Sequence, residues 1–269
     1  MKLDEFFAKN PIFSTKELAE YLGTKDSRNP STRNALLAHH LDSGRILRIR
    51  RGLYATVPTG VSPDEFSVDP YLLAGKITDD AILAYYTALE AQGRAYSIFR
   101  RFTYLTKRNL GRSFEFQGAT YKGVSHPKAL RRAGKEELFV EVQDRAGIET
   151  KVTSLERSFV DVLDRPNLSG SWEEIWRSIE SIEFLDLEKV VEYVSVLENA
   201  TTAAKVGFFL VRHRDALMVS EEYLDRIKKL CPKCPHYMDR DSQEEGQLLS
   251  DWNLIVPVSI LEEVWEKIQ

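Results

Sequence analysis

The sequence predicts an α+β protein built in three parts. Short helical patterns and one strand-like pair come first, several strand-like segments follow in the middle, and helical patterns dominate the last hundred or so residues. No run approaches the roughly 18 to 20 apolar residues of a membrane span. The charged N-terminus lacks the apolar core of a signal peptide. We therefore expect a cytoplasmic protein. The strand-like segments in the middle are expected to form a mostly antiparallel sheet.

Shifts in composition divide the chain into segments. Pro58, Pro63 and Pro70 surround a stretch that reads as a linker. The expected segments are an N-terminal domain at 1–58, the linker at 59–68, an α+β domain at 69–166 and a mainly helical C-terminal region at 167–269.

Three short helices are expected in the N-terminal domain. Leu3–Lys9 carries apolar residues on one face. Ser14 followed three residues later by Glu17 fits the capping box that opens a second helix. Pro30 suits the first turn of a third helix that runs to Ser43. The third helix has an inward stripe made of Leu36, Leu37, His40 and Leu41.

The segment from Ile46 to Val57 predicts a β-hairpin. Arg51-Gly52 interrupts it where a tight turn belongs, since Gly can take the positive φ that such turns need. A two-stranded ribbon is not stable alone in water, so it must pack on the helices and hold its arginines outward. Three short helices followed by a basic hairpin are the layout of a winged helix-turn-helix, a DNA-binding domain.

Charge is unevenly distributed along the chain. Residues 1–57 contain ten Lys and Arg against six Asp and Glu, a net charge of +4; the remainder contains 27 basic and 35 acidic residues, a net charge of −8. The isoelectric point of about 5.9 argues against unspecific coating of nucleic acid. These numbers remain compatible with a basic DNA-binding domain at the N-terminus and an acidic remainder of the chain.

We expect the third helix to enter a major groove with its N-terminal part leading. The turn before it and the wing would contact phosphates, and each such contact adds salt-dependent affinity. Alternation along a strand places Arg48 and Arg50 on one side of the wing, with Arg51 near its tip. The candidate DNA-binding residues are Lys25, Arg28, Ser31, Thr32, Arg33, Asn34, Arg48, Arg50 and Arg51. Winged helices also bind proteins, and a module that binds a protein partner is the alternative.

The middle and the end of the chain read as strands and then helices. A helix is expected at 80–92, and Ser154 opens another. The expected strands lie at 99–105, 114–116, 120–124, 138–142 and 148–152. In the C-terminal region one helical face is formed by Trp172, Ile175, Trp176, Ile179 and Ile182, and residues 254–258 are a short apolar segment that could form a strand.

One pattern in the middle domain could belong to a metal-dependent nuclease. Asp144 and Glu149 could hold Mg²⁺, and Lys151 could orient a water molecule. The spacing is short for such a site, and a hairpin turn at Arg145-Ala146-Gly147 explains the charges more simply. No nucleophile with a nearby base and no phosphate-binding glycine loop is present, so we expect no enzyme activity and no cofactor.

A second pattern supplies ligands that zinc prefers. Cys231, Cys234 and His236 provide three of them, and a fourth would have to come from Asp239, Asp241 or His213. Prolines at 232 and 235 make a rigid turn the simpler explanation. We expect no metal site here, and we keep these three residues as weak candidates.

Several segments resemble the AbiEi antitoxin family. They are the helix-turn-helix with the string LRIRRGLYATVP at 47–58, Asp69 to Gly93, Thr153 to Pro166, and Pro235 to Pro257. The resemblance implies the antitoxin of a two-gene toxin–antitoxin module that is linked to abortive phage infection. In such modules the winged helix binds repeats in the module's own promoter, which two chains could fill as a homodimer. The C-terminal region counteracts a nucleotidyltransferase-like toxin, often without a stable complex.

Overall fold

The computed structural model describes residues 2–26, 30–108, 113–240 and 244–265. It has the mixed α and β composition that the sequence predicts. The helices are α1 (Lys2–Lys9), α2 (Thr15–Asp26), α3 (Pro30–Asp42), α4 (Pro70–Lys76), α5 (Tyr86–Ala91), α6 (Lys128–Ala133), α7 (Leu155–Asp164), α8 (Trp172–Glu180), α9 (Leu187–Leu197), α10 (Ala200–Arg212), α11 (Glu221–Lys228) and α12 (Val258–Glu262). The strands are β1 (Ile12–Ser14), β2 (Ile46–Arg50), β3 (Leu53–Thr56), β4 (Ile82–Leu83), β5 (Arg101–Leu105), β6 (Phe114–Phe116), β7 (Ala119–Val124), β8 (Val140–Arg145), β9 (Ile148–Thr153), β10 (His236–Tyr237), β11 (Gly246–Leu249) and β12 (Leu254–Pro257).

The N-terminal domain is a winged helix-turn-helix. The hairpin β2–β3 forms as the sequence predicts, and β1, which the sequence analysis missed, adds to it in the order β1-β3-β2. The capping box of α2 is confirmed, because the backbone N of Ser14 donates to Glu17 Oε2 at 2.7 Å and the backbone N of Glu17 donates to Ser14 Oγ at 3.1 Å. The helical backbone of α2 is interrupted at Gly23, whose φ is 80°.

The small sheet of this domain is buried on both faces. One face packs on the three helices through Phe13, Ile46 and Tyr54. The other face packs on the central domain through Ile49 and Leu53, in the same apolar cluster as Leu72, Leu73 and Tyr104. An ion pair of 2.9 Å between Lys76 Nζ and Glu17 Oε1 joins α4 to α2. These contacts fix the orientation of the winged helix on the body.

The central sheet has the strand order β6-β7-β5-β4-β9-β8. Its antiparallel pairs are β6–β7, β5–β4 and β9–β8; its parallel pairs are β7–β5 and β4–β9. The prediction of one helix over 80–92 is wrong at its start, because Ile82 and Leu83 form β4 and α5 begins only at Tyr86. The alanine-rich segment favours a helix, but pairing with strands on both sides outweighs that local preference.

The C-terminal helices enclose the largest apolar cluster. The stripe along α8 is confirmed, since Ile175, Trp176 and Ile179 are fully buried. The apolar segment at 254–258 forms β12, which pairs with β10 and β11. In the part of the chain that the structure describes, no helix has both the length and the apolarity that a membrane crossing requires.

Candidate nucleic-acid interface

Helix α3 presents an open face at its N-terminal half. Ser31, Thr32 and Asn34 are exposed, whereas Leu37 and His40 are buried against the rest of the domain. The His40 ring meets the Phe7 ring edge-on at 5.0 Å, and burial lowers the pKa of His40 below its usual value. The inward stripe predicted from helical spacing is therefore confirmed, and the opposite face of α3 remains accessible.

A groove of about 580 Å³ runs between α3 and the wing. Arginines reach it from both sides, Arg33 from the helix and Arg48 and Arg51 from the wing. Among the described residues that line it, none is acidic. The Nε of Arg33 is buried and has no hydrogen-bond partner in the described chain. Three guanidinium groups around an opening without carboxylates favour a bound polyanion such as the phosphate backbone of DNA.

The tip of the wing has the geometry that the sequence predicts. Gly52 takes φ 81°, in the left-handed region, and Arg51 beside it is exposed. The backbone N of Thr15 donates to the Gly52 carbonyl at 2.9 Å, which ties the turn to the start of α2. Thr15 also lines the groove, and the sequence analysis missed it because a helix-opening threonine carries no charge signal.

The prediction that Arg48 and Arg50 share one side of the wing is wrong. Arg48 pairs with Tyr54 across the hairpin, but Arg50 pairs with Leu53, so the register shifts by one residue between them. Such a bulge reverses the alternation of side chains beyond it. Arg48 consequently faces the groove, while Arg50 donates to the Ile77 carbonyl of the central domain and lies 5.4 Å from the Phe114 ring centroid. We therefore remove Arg50 from the candidate interface.

The remaining candidates of this set lie partly beyond what the structure describes. Arg28 falls outside the described residues, and so does the side chain of Lys25. Arg45, the first arginine of the hairpin, is paired with Asp4 and lies 5.3 Å from the Phe7 ring centroid, so it serves the contact between the hairpin and α1. DNA contact by the eight remaining candidates stays a prediction.

The nuclease pattern lies in a hairpin. Asp144 and Glu149 face each other as a cross-strand pair of β8 and β9, on either side of a turn in which Ala146 and Gly147 have φ of 53° and 79°. The backbone N of Gly147 donates to Asp144 Oδ1 at 3.3 Å. Lys151 is bound to Glu137 at 3.0 Å, so its ammonium has a structural partner. The hairpin turn that the sequence predicts at Arg145-Ala146-Gly147 is therefore confirmed.

The three weak zinc candidates do not form a cluster. The Cys231 thiol donates to the Ile227 carbonyl at 3.4 Å, and burial raises its pKa to about 11, which disfavours the thiolate that zinc needs. Cys234 is exposed, and His236 Nδ1 lies 2.7 Å from Thr201 Oγ1. Within the described ranges, no group of three or more His, Cys, Asp or Glu side chains is arranged to hold a metal.

The fold and the groove together define a protein with a winged helix-turn-helix domain mounted on a larger α+β body. Residues 1–57 match the family model described as "Transcriptional regulator, AbiEi antitoxin". The resemblance seen in the sequence is therefore confirmed over these residues, and it supports a transcriptional regulator of the antitoxin type.

A solved structure extends the likeness in fold to the body. The crystal structure of the RV2827C protein from Mycobacterium tuberculosis is similar with a TM-score of 0.59 and 14% sequence identity; the match covers 98% of this chain and 93% of that one. At that identity the likeness concerns the fold alone. No curated protein matches the sequence.

Proposed function

We propose that the protein is a sequence-specific DNA-binding repressor that acts as the antitoxin and autoregulator of a toxin–antitoxin module. The observation that carries this proposal is the groove in which Arg33, Arg48 and Arg51 converge without an acidic neighbour among the described lining residues. The family match over residues 1–57 supports the regulatory class.

In this proposal the exposed N-terminal half of α3 reads base edges in the major groove. Ser31, Thr32, Arg33 and Asn34 donate to bases or to the adjacent phosphates, since their side chains carry the hydroxyl, guanidinium and amide groups used in such contacts. Arg48 and Arg51 bind backbone phosphates beside the major groove of the DNA. Lys25, near the end of α2, and Arg28 remain proposed phosphate contacts. The protein acts by binding, without a catalytic step.

The partner on the DNA side is duplex promoter DNA that contains repeats. Each chain supplies one winged helix-turn-helix domain, so two repeats would bind two chains, and a homodimer on DNA is the expected assembly. The functional partner on the protein side is a nucleotidyltransferase-like toxin, as the family resemblance implies.

The test is binding to the promoter that precedes the gene, measured by fluorescence anisotropy against a scrambled duplex of equal length. We expect tighter binding to the promoter than to the scrambled duplex, together with a steep loss of affinity as salt rises. Equal affinity for both duplexes would remove sequence-specific repression from the proposal.

A second candidate function is a protein-binding antitoxin that neutralises the toxin without DNA. The net charge of −8 on residues 58–269 favours it, because an acidic body complements a basic partner. Co-expression with the neighbouring toxin gene distinguishes the two. If the triple variant Arg33→Ala, Arg48→Ala, Arg51→Ala still protects cells fully, antitoxicity resides in the body and not in the groove.

A further inference from the structure

A second polar cavity lies far along the chain from the groove. It has a volume of about 330 Å³ and opens where the end of α7, the start of α10 and the segment after β10 meet. That volume is at the lower end of the range for small-molecule sites. Three of its lining residues are cationic, namely Arg165, Lys205 and Arg240, and two are acidic, Asp164 and Asp239.

Lys205 is a buried cation with an incomplete set of partners. Its side chain belongs to a residue that is 5% exposed, and its ammonium donates to the Leu163 carbonyl at 3.0 Å. The ammonium also lies 5.1 Å from the Trp172 ring centroid. Burial lowers the pKa of Lys205 to about 8, although the carboxylates of Asp164 and Asp239 in the same cavity act in the opposite direction. A buried ammonium with one hydrogen bond is costly, and an anion bound in the cavity would offset that cost.

The two acidic residues of the cavity already accept hydrogen bonds from the protein. Asp164 Oδ1 accepts from Asn199 Nδ2 at 2.8 Å and from Thr202 Oγ1 at 2.7 Å. Asp239 Oδ2 accepts from Trp172 Nε1 at 2.7 Å. Arg165 Nε also lies 3.7 Å from Asp164 Oδ2, so this pair is already formed. Three cations against two carboxylates leave the cavity an excess of one positive charge, which suits a single phosphate better than a triphosphate.

The rim supplies groups that suit a nucleobase. Tyr237 is 58% exposed at the opening, and an exposed aromatic ring is a platform on which any base can stack. Asn167, an exposed residue that also lines the cavity, offers an amide that can hydrogen-bond to a base edge. A buried ammonium and an exposed aromatic ring that line the same cavity are groups that can bind the phosphate and the base of a nucleotide.

We propose that this cavity binds one nucleoside monophosphate unit, with its phosphate at Lys205, Arg165 and Arg240 and its base against Tyr237. The unit is either a free nucleotide or the phosphorylated end of a nucleic-acid strand. This site is independent of the groove between α3 and the wing, so it can fail without affecting DNA binding and can succeed without it.

Isothermal titration calorimetry on the full chain tests the proposal. The probes are the four ribonucleoside 5′-monophosphates, inorganic phosphate, ATP and a short 5′-phosphorylated oligoribonucleotide. We expect at least one monophosphate to bind at least tenfold more tightly than inorganic phosphate and more tightly than ATP. A clearly tighter oligonucleotide identifies a strand end as the natural source, and equal affinity identifies the free nucleotide.

Two variants and one control assign the binding to this cavity. Lys205→Met keeps the length of the buried side chain and removes its charge, and it is expected to weaken binding at least tenfold. Tyr237→Ala alters an exposed residue, so it should fold normally, weaken the nucleotides about tenfold and leave inorganic phosphate unchanged. Lys189→Met, at a partly exposed lysine on α9, should change nothing.

Three results would overturn the proposal. One is the absence of heat with every probe for the wild-type chain. Another is nucleotide binding that both cavity variants leave intact. The third is equal affinity for phosphate and nucleotides with no effect of Tyr237→Ala, which would reduce the cavity to a simple anion site.

Discussion

The groove at the front of the molecule and the cavity in the C-terminal region both gather cations, but they hold them differently. In the groove Arg48 and Arg51 are exposed, and no described lining residue is acidic. In the cavity Lys205 is buried, and two carboxylates stand among the cations. Exposed cations without acidic neighbours suit a long polyanion that sheds counterions. A buried cation among carboxylates suits one small ligand of limited charge.

The largest expected effect concerns the groove. The triple variant Arg33→Ala, Arg48→Ala, Arg51→Ala should lose at least about 100-fold in affinity for the promoter, since a base contact alone is worth about 1–3 kcal/mol and two phosphate contacts are lost with it. Fluorescence anisotropy at fixed salt measures the loss. Nucleotide binding in the cavity should stay unchanged in the same protein. A loss in both assays would show that the two sites are not separate.

The next effect concerns a histidine buried in the body. His126 is 2% exposed, its Nδ1 has no hydrogen-bond partner in the described chain, and burial lowers its pKa to about 4. The unfolded chain, with an ordinary histidine pKa near 6.5, binds this proton first as pH falls. Stability from His126 is therefore complete above about pH 6.5 and is lost as pH falls towards 4, by about 3 kcal/mol.

Urea unfolding between pH 4 and 7 measures this dependence. His126→Gln should flatten it, whereas the matched variant His39→Gln, at an exposed histidine of α3, should keep the wild-type slope. If both variants behave alike, the acid sensitivity of the body has another origin.

A smaller effect distinguishes two arginines of one strand. Arg48→Ala should lower the slope of log affinity against log salt by about 0.9, because one phosphate contact is lost. Arg50→Ala should leave that slope unchanged and instead lower the free energy of unfolding by about 1–2 kcal/mol, through the lost contacts with the Ile77 carbonyl and the Phe114 ring. Each variant is the control for the other. An Arg50→Ala protein with a reduced salt slope would return this residue to the interface.

The smallest effect tests the turn at the wing tip. Gly52→Ala and Gly60→Ala both place a side chain at positive φ, 81° and 86°, and each should cost about 1 kcal/mol of stability. A Cβ at Gly52 meets Thr15 Oγ1 at 3.4 Å, and one at Gly60 meets nothing within 4 Å. Only Gly52→Ala should weaken promoter binding, by about two- to fivefold, as Arg51 shifts. Equal binding by both variants would show that the tip does not position Arg51.

Local pattern was sufficient for the helices of the N-terminal domain. The inward stripe of α3, the capping box of Ser14 and Glu17, and the turn at Gly52 each depend on residues a few positions apart, so the sequence predicts them. Strands β1 and β4 were missed, because three and two residues are too few to show a period and their partners are distant in the chain.

The outline of the candidate site could be predicted from the sequence, but the orientation of one side chain, Arg50, was predicted wrongly. Alternation gave the correct face for Arg48, but a bulge before Arg50 turns that side chain to the Ile77 carbonyl of the central domain, and no pattern within the hairpin reveals the bulge. Lys205 illustrates the same limit. A lysine in an amphipathic helix reads as a solvated residue, and its burial depends on Trp172 and on the Leu163 carbonyl, both distant in sequence.

The burial of both faces of the β1-β3-β2 sheet has a practical consequence for isolating the winged helix-turn-helix domain. The family match ends at residue 57, yet a fragment cut there would leave Ile12, Ile49, Leu53 and Ala55 facing water instead of α4 and its surroundings. Such a bare apolar patch invites self-association. The end of the family match is thus not a suitable place to truncate the chain. A fragment for crystallographic or binding work on the winged helix-turn-helix should also include at least α4 and the central sheet.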